Sequence, residues 1–157
     1  KNIDFIINLQ GDMPNIEPEN IFKLNNLMKE NDSGIGTLGA KIINNNEMID
    51  ENIVKVKTKE NLTEKNFLKS EDFFRIGNPD DNSNIYHHVG IYIFKPNFLK
   101  KYINFSRTKN EIERNLEQMR ILDNNIDINV GLSSSVPLSV DTEKELEKVR
   151  HLMSLKK

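Results

Sequence analysis

Ile3-Asp4-Phe5-Ile6-Ile7-Asn8-Leu9-Gln10-Gly11-Asp12-Met13-Pro14 is the stretch that decides the fold. Residues 3–9 are an apolar run of strand length, suited to the interior of a parallel sheet, and a Gly- and Pro-containing turn ends them. Pro18 then stands where a first helical turn tolerates proline. Ile21, Leu24, Leu27 and Met28 fall on one face of a helix ending near Asn31. A second strand is predicted over 34–43, and a third around Val54 and Val56 with lysines on its other face. Residues 57–84 carry a weaker pattern and include the loop signature Gly77-Asn78-Pro79-Asp80-Asp81-Asn82, so a loop or β excursion is expected there. Tyr86 to Phe94 is the next strand, and a helix from about Pro96 carries Phe98, Leu99 and Tyr102. Another helix spans about 111–122, with Ile112, Leu116, Met119 and Leu122 inward. Ile126, Ile128 and Val130 alternate as a strand, and a last helix starts near Asp141-Thr142. Alternating strands and helices predict a single α/β domain over 1–157, with a mainly parallel sheet and helices on both faces. Ligands of such sheets gather beyond the carboxyl ends of the strands.

Composition narrows the function. The 157 residues carry 22 Lys plus Arg against 24 Asp plus Glu, a net charge of −2, so no basic field favours nucleic acid. Cysteine is absent, which excludes disulfides, thiolate metal sites and a cysteine nucleophile. No apolar run approaches the roughly 20 residues of a membrane span, and no leader pattern opens the chain. The expected compartment is the cytoplasm. Asn occurs 23 times, Lys 17, Ile 19 and Arg 5, a bias typical of AT-rich coding that devalues any single exposed Asn or Lys as evidence. The first residue is Lys1 and a strand-like run follows almost at once, so the sequence is expected to be processed or part of a longer chain.

Four places can carry chemistry. Asp12 follows the first strand, where a carboxylate can hold Mg²⁺ or simply hydrogen-bond its own turn. Asp141, in Ser139-Val140-Asp141-Thr142-Glu143, ends an extended segment and opens a helix. It is suited either to capping that helix or to pairing with Asp12 around metal ions on a nucleoside triphosphate. His87 and His88, in Tyr86-His87-His88-Val89-Gly90-Ile91-Tyr92, point to opposite faces of a strand, so one can meet a ligand while the other meets solvent, and a shared zinc is disfavoured. Glu117 and Gln118, in Leu116-Glu117-Gln118-Met119-Arg120, read sugar hydroxyls or are the solvated side of an amphipathic helix. His151 on the last helix is expected at the surface. No nucleophile–His–acid set and no glycine-rich phosphate loop is present.

These segments, with Asn52-Ile53-Val54-Lys55-Val56 between them, together resemble the 3-deoxy-manno-octulosonate (Kdo) cytidylyltransferases over nearly the whole chain. The resemblance implies a Rossmann-like nucleotidyltransferase sheet whose first βα units, with their Arg- and Gly-rich CTP loop, lie outside this sequence. It implies transfer of CMP from CTP to the 2-hydroxyl of Kdo, with pyrophosphate released and the product entering lipopolysaccharide assembly. It implies Mg²⁺ held by Asp12 and Asp141, a Kdo pocket lined by Gln10, His88, Glu117, Gln118 and Tyr92, and a cytoplasmic homodimer. Dimer contacts are expected from the Tyr86–Tyr92 strand and the preceding excursion. The family's Tyr-Phe-Ser-Arg element has its nearest counterpart here in Asn66-Phe67-Leu68-Lys69-Ser70, where Lys69 keeps the charge without a bidentate grip. That change leaves open another 2-keto sugar acid, such as a sialic acid or amino-Kdo. A non-catalytic fragment that binds sugar acid or a partner subunit is the remaining alternative.

Overall fold

The computed structural model describes residues 2–81, 83–140 and 142–155. Six strands occur in them: β1 Ile6–Asn8, β2 Ile35–Lys41, β3 Lys55–Thr58, β4 Phe67–Phe74, β5 Ile85–Phe94 and β6 Asn129–Leu132. The helices are α1 Pro18–Glu30, α2 Pro96–Ile103, α3 Lys109–Arg114, α4 Met119–Asp123 and α5 Glu143–Leu155.

The strands form one sheet in the order β1-β5-β2-β6-β4-β3, and β3 also pairs with β5. The sheet is mixed, which corrects the expectation of a mainly parallel one. Only β2–β6 is a parallel pair, and the pairs β1–β5, β2–β5, β3–β4, β3–β5 and β4–β6 are antiparallel. The physical reason is β5. The β1–α1–β2 unit does give two strands of the same direction, as its strand–helix–strand pattern requires. However, β5 enters between them in the opposite sense, facing Ile7 with Ile93 on one side and Gly36 with the same residue on the other. The 3–9 run, expected in the interior, supplies only three paired residues. β1 is therefore an edge strand among the described residues, with Ile7 43% exposed. The stretch 57–84, expected to leave the main sheet, contributes β4, which pairs with β6 at its start and β3 at its end.

Helices cover both faces. Period-two alternation along β5 sends Val89, Ile91 and Ile93 to one core with Leu24, Leu27 and Met28 of α1. It sends Tyr86, Tyr92 and Phe94 to the other, with Leu116, Met119 and Ile121 and the half-buried Phe98 and Leu99. α1 stops where Asn31 Nδ2 donates to the Leu27 carbonyl at 2.9 Å and Asp32 turns left-handed at φ 49°. The predicted helix over 111–122 is broken in two. Asn115, at φ 52° and ψ 49°, caps α3 in the left-handed region that Asn tolerates, and the chain re-enters helix only at Met119.

Gly36 fits under α1 because it lacks a side chain: a Cβ there would stand 2.6 Å from both Met28 Sδ and Phe67 Cζ. Gly36→Val should cost roughly 1–3 kcal/mol by overpacking. Urea unfolding measures it, and an unchanged midpoint would show that the α1–sheet contact is loose.

Candidate functional site

The break between α3 and α4 builds the site. Glu111 caps α3 through Thr108, and its buried carboxylate accepts from Arg120 Nε at 2.7 Å, from Arg120 Nη2, and from Arg107 Nε at 3.1 Å. Hydrogen bonds from Arg120 first, and then from Arg107, outweigh burial and hold its pKa down to about 2. Arg120 also lies over the Tyr102 ring at 5.1 Å. This clamp ties the two short helices together and fixes the Leu116–Gln118 turn between them. Gln118, 5% exposed, precedes α4 as its N-cap residue, while Glu117 is exposed. The expectation of a solvated Glu-Gln pair on a helix therefore holds for neither backbone nor Gln118 burial.

The turn faces a pocket of about 300 Å³ lined by Asn8, Tyr92, Tyr102, Glu117 and Gln118 over apolar walls such as Ile6 and Leu99. The Tyr92 hydroxyl is buried, with no hydrogen-bond partner among the described residues. Burial first, then Glu117 and Tyr102, raises its pKa well above the usual value, so it is a neutral phenol. A buried polar atom without a partner is expensive unless a ligand or water supplies one.

His88 lies beside this pocket, its ring 5.4 Å from that of Tyr92 and 5.2 Å from that of Phe73. A β-bulge sets its aim: the β2–β5 register shifts between Thr37 and Leu38. Thr37 Oγ1 donates toward the Ile91 carbonyl at 2.7 Å and the Val89 carbonyl at 3.1 Å. Its proton thus engaged, Thr37 Oγ1 accepts from His88 Nε2 at 3.0 Å. That fixes the Nε2–H tautomer and leaves the Nδ1 lone pair as an acceptor. Burial, then the neighbouring His87, lowers the His88 pKa to about 3, so the ring is neutral at pH 7. His87, on the opposite face, is not left to solvent: its Nδ1 meets Glu47 Oε2 at 2.9 Å. Gln10 stands over Gly90, where its Cγ would lie 3.6 Å from an added Cβ. Gln10 thus joins His88 and Tyr92 along β5.

Asp12 is exposed on the turn after β1. Ser139 Oγ donates to its Oδ2 at 3.2 Å, and Val140 N donates to its carbonyl at 2.9 Å. The chain preceding residue 141 is thereby laid against Asp12; Asp141 itself lies outside the described residues. No cluster of three or more His, Asp or Glu is placed for a metal among the described residues. The exposed Asp12 carboxylate accepts from the Ser139 hydroxyl, and among the described residues no salt bridge engages it; a free carboxylate is the class of hard oxygen donor that divalent cations prefer.

Other residues around the site carry no signal in the sequence. Asn15 and Asn20 bond the segment after β6, but asparagine is too common here to attract notice. Arg75, at the end of β4, donates to the carbonyl of Asn115 at 3.4 Å and so flanks the Leu116–Gln118 turn. Lys69, the expected counterpart of a family arginine, pairs instead with Asp127 at 2.6 Å and lines a different cleft.

A family model described as cytidylyltransferase matches residues 1–128. The 3-deoxy-manno-octulosonate cytidylyltransferase of Bartonella tribocorum is 36% identical over 149 residues, covering 95% of this chain and 60% of its own length. The protein of the same name from Rickettsia canadensis is 37% identical over 148 residues, covering 94% and 58%. A solved CMP:2-keto-3-deoxy-manno-octonic acid synthetase complexed with CTP superimposes with a TM-score of 0.86 at 28% identity, covering 98% of this chain and 63% of that one. A UDP-glucose pyrophosphorylase shares the fold at a TM-score of 0.66 and 12% identity. The chain thus spans about 60% of the length of the curated relatives it matches.

The depressed pKa values of His88 and Glu111 predict acid sensitivity with separable windows. His88 protonates more readily unfolded, near 6.5, than folded, near 3, so stability falls as pH drops below 6.5 and levels off near 3. The Glu111 contribution is present above 4.5 and is lost toward pH 2. Of these two groups only His88 acts between pH 6.5 and 4.5. Urea unfolding at those two pH values should show a shallower loss in His88→Gln than in the unmodified protein, and equal losses would mean that His88 is not held neutral.

Proposed function

Because the chain belongs to the cytidylyltransferase family, we propose that it forms the sugar-acid-binding part of an enzyme that transfers CMP from CTP to the 2-hydroxyl of Kdo. The supporting observation is convergence. Tyr92, Glu117 and Gln118 line one pocket, His88 of β5 stands beside it with Gln10 lying over Gly90 of the same strand, and Tyr92 brings to it a buried hydroxyl without a partner among the described residues. The likeness to a synthetase complexed with CTP supports the nucleotide half of the reading.

In this reaction the 2-hydroxyl oxygen bonds to the α-phosphorus, the bond to the β-phosphate oxygen breaks, and pyrophosphate and the hydroxyl proton leave. The chain's contribution is to hold the acceptor in place. The Nδ1 lone pair of His88 accepts from a sugar hydroxyl, the Tyr92 phenol donates to one, and the Gln118 amide does both. Because these groups are neutral and fixed, an analogue lacking the matching hydroxyl leaves them unpaired and is rejected. Asp12 and Asp141 are the residues to hold Mg²⁺, which when bound supplies neutralisation of charge on the phosphoryl oxygens. No helix among the described residues is long and apolar enough to cross a membrane. The reading extends to a cytoplasmic homodimer whose product feeds lipopolysaccharide assembly. Lys69, the change that suggests a different sugar acid, does not line the Tyr92 pocket and so does not favour one.

The test is pyrophosphate release from CTP, Kdo and Mg²⁺ by the protein encoded by the complete reading frame. Asp12→Asn and Asp141→Asn should each lower kcat on the order of 10²–10³-fold with the circular dichroism unchanged. Gln118→Ala should raise KM for Kdo about tenfold, the worth of about one hydrogen bond to a sugar hydroxyl. Release no greater than in a control without sugar would overturn the assignment.

A further inference from the structure

We propose that Asn20 is a positioning residue for the magnesium site: it sets the path of residues 133–140 against the turn bearing Asp12, and so what Asp12 and Asp141 can share. The inference rests on reading those two carboxylates as the Mg²⁺ ligands.

Asn20 lies in the first turn of α1 and is 1% exposed. Amide side chains are rarely this buried without full use of their polar atoms. Here Oδ1 accepts from Ser134 N at 3.2 Å and from Ser134 Oγ at 3.1 Å, and Nδ2 donates to Ser135 Oγ at 3.3 Å. The serines are already shaped for it. Ser133 N donates to the Gly39 carbonyl at 2.9 Å, continuing β6 along β2, and Ser133 Oγ closes a turn on the Ser135 carbonyl at 2.6 Å. Beyond them Leu138 N donates to Asn15 Oδ1 at 2.9 Å, and Ser139 and Val140 reach Asp12.

The anchors run in order. As the chain advances through 134, 138 and 140, its partners step back through 20, 15 and 12. The segment is therefore stapled antiparallel along the loop that joins β1 to α1. Of the three anchors only Asn20 is buried, and only Asn20 belongs to a helix packed on the core through Leu24, Leu27 and Met28. Asp12 and Asn15 sit on the loop itself, so their bonds alone would let loop and segment drift together. Asn20 refers both to the rigid helix.

The experiment uses the protein from the complete reading frame and reads two quantities: amide exchange by NMR, and Mn²⁺ binding in the presence of CTP by electron paramagnetic resonance. In Asn20→Ala the Val140 and Leu138 amides should exchange about tenfold faster or more, while Val130 in β6 stays protected. Mn²⁺ affinity should fall about tenfold. Should Asn20→Ala not fold, Ser135→Ala removes one bond outside the helix and should shift both quantities the same way by less. Unchanged Val140 exchange together with unchanged Mn²⁺ affinity overturns the proposal. An unmodified protein that binds no Mn²⁺ with CTP overturns the magnesium reading instead, and amide exchange still decides whether Asn20 sets the segment.

Discussion

Strand β5 is the constraint on which the other elements depend. It hydrogen-bonds β1, β2 and β3 at once, because its ten residues are long enough for β3 and β1 to lie end to end along one side while β2 takes the other. With β6 and β4 completing the path, the pairings β5–β2–β6–β4–β3–β5 close on themselves. A closed circuit removes free edges and over-determines the register of each strand in it. That rigidity lets a single bulge at Thr37 aim His88, since a displaced strand would otherwise relax the kink away.

Rigidity at the far end of β4 has an unusual source. Lys55 is 0% exposed, and its ammonium donates to the carbonyls of Asp50, Ile53 and Arg75, three acceptors for three protons. Desolvation lowers its pKa, outweighing the opposing pull of the Asp50 and Glu47 carboxylates. The cage draws the 50–53 turn and the end of β4 onto β3. Arg75, held there by its backbone, reaches with its side chain to the carbonyls of Glu51 and Asn115. The turn carrying Glu117 and Gln118 is thus braced from two directions, by Arg75 on one side and by the Arg120–Glu111 pair on the other.

What could be seen in the sequence follows from which interactions are local. α1 was legible nearly to the residue because its proline start, apolar stripe and terminal Asn lie within one window. The strand ending at Phe94 was legible for the same reason. Pairing direction was not, because the insertion of β5 between β1 and β2 depends on residues 45 or more positions apart. The break at Asn115 was hidden too: helical spacing persists across it, and only a left-handed φ reveals it. β4 was obscured by Lys69, Glu71 and Asp72, polar residues in a strand whose two ends have different partners. Among the candidate site residues, Gln10, His88, Tyr92, Glu117 and Gln118 are singled out by a motif set rather than by periodicity, which by itself favours a solvated helix for the last two.

The electrostatics of the pocket bear on how a sugar acid would be held. His88 and Tyr92 are neutral, Glu117 is acidic, and Arg120 has its charge engaged by Glu111. Such a lining suits uncharged hydroxyls, because neutral donors and acceptors fixed by a rigid frame discriminate by geometry. It offers no free cation to a carboxylate. On the proposed reading, the acid group of a sugar acid would be answered from the rim, where Arg75 flanks the Asn115 turn, or by Mg²⁺ if Asp12 and Asp141 hold it. Either answer would place that carboxylate toward the segments that Asn20 and Lys55 hold, and the hydroxyl tail toward Gln118. The charged end of the acceptor would then lie nearest the phosphates, where counter-charge is concentrated, and the neutral end where desolvation is least costly.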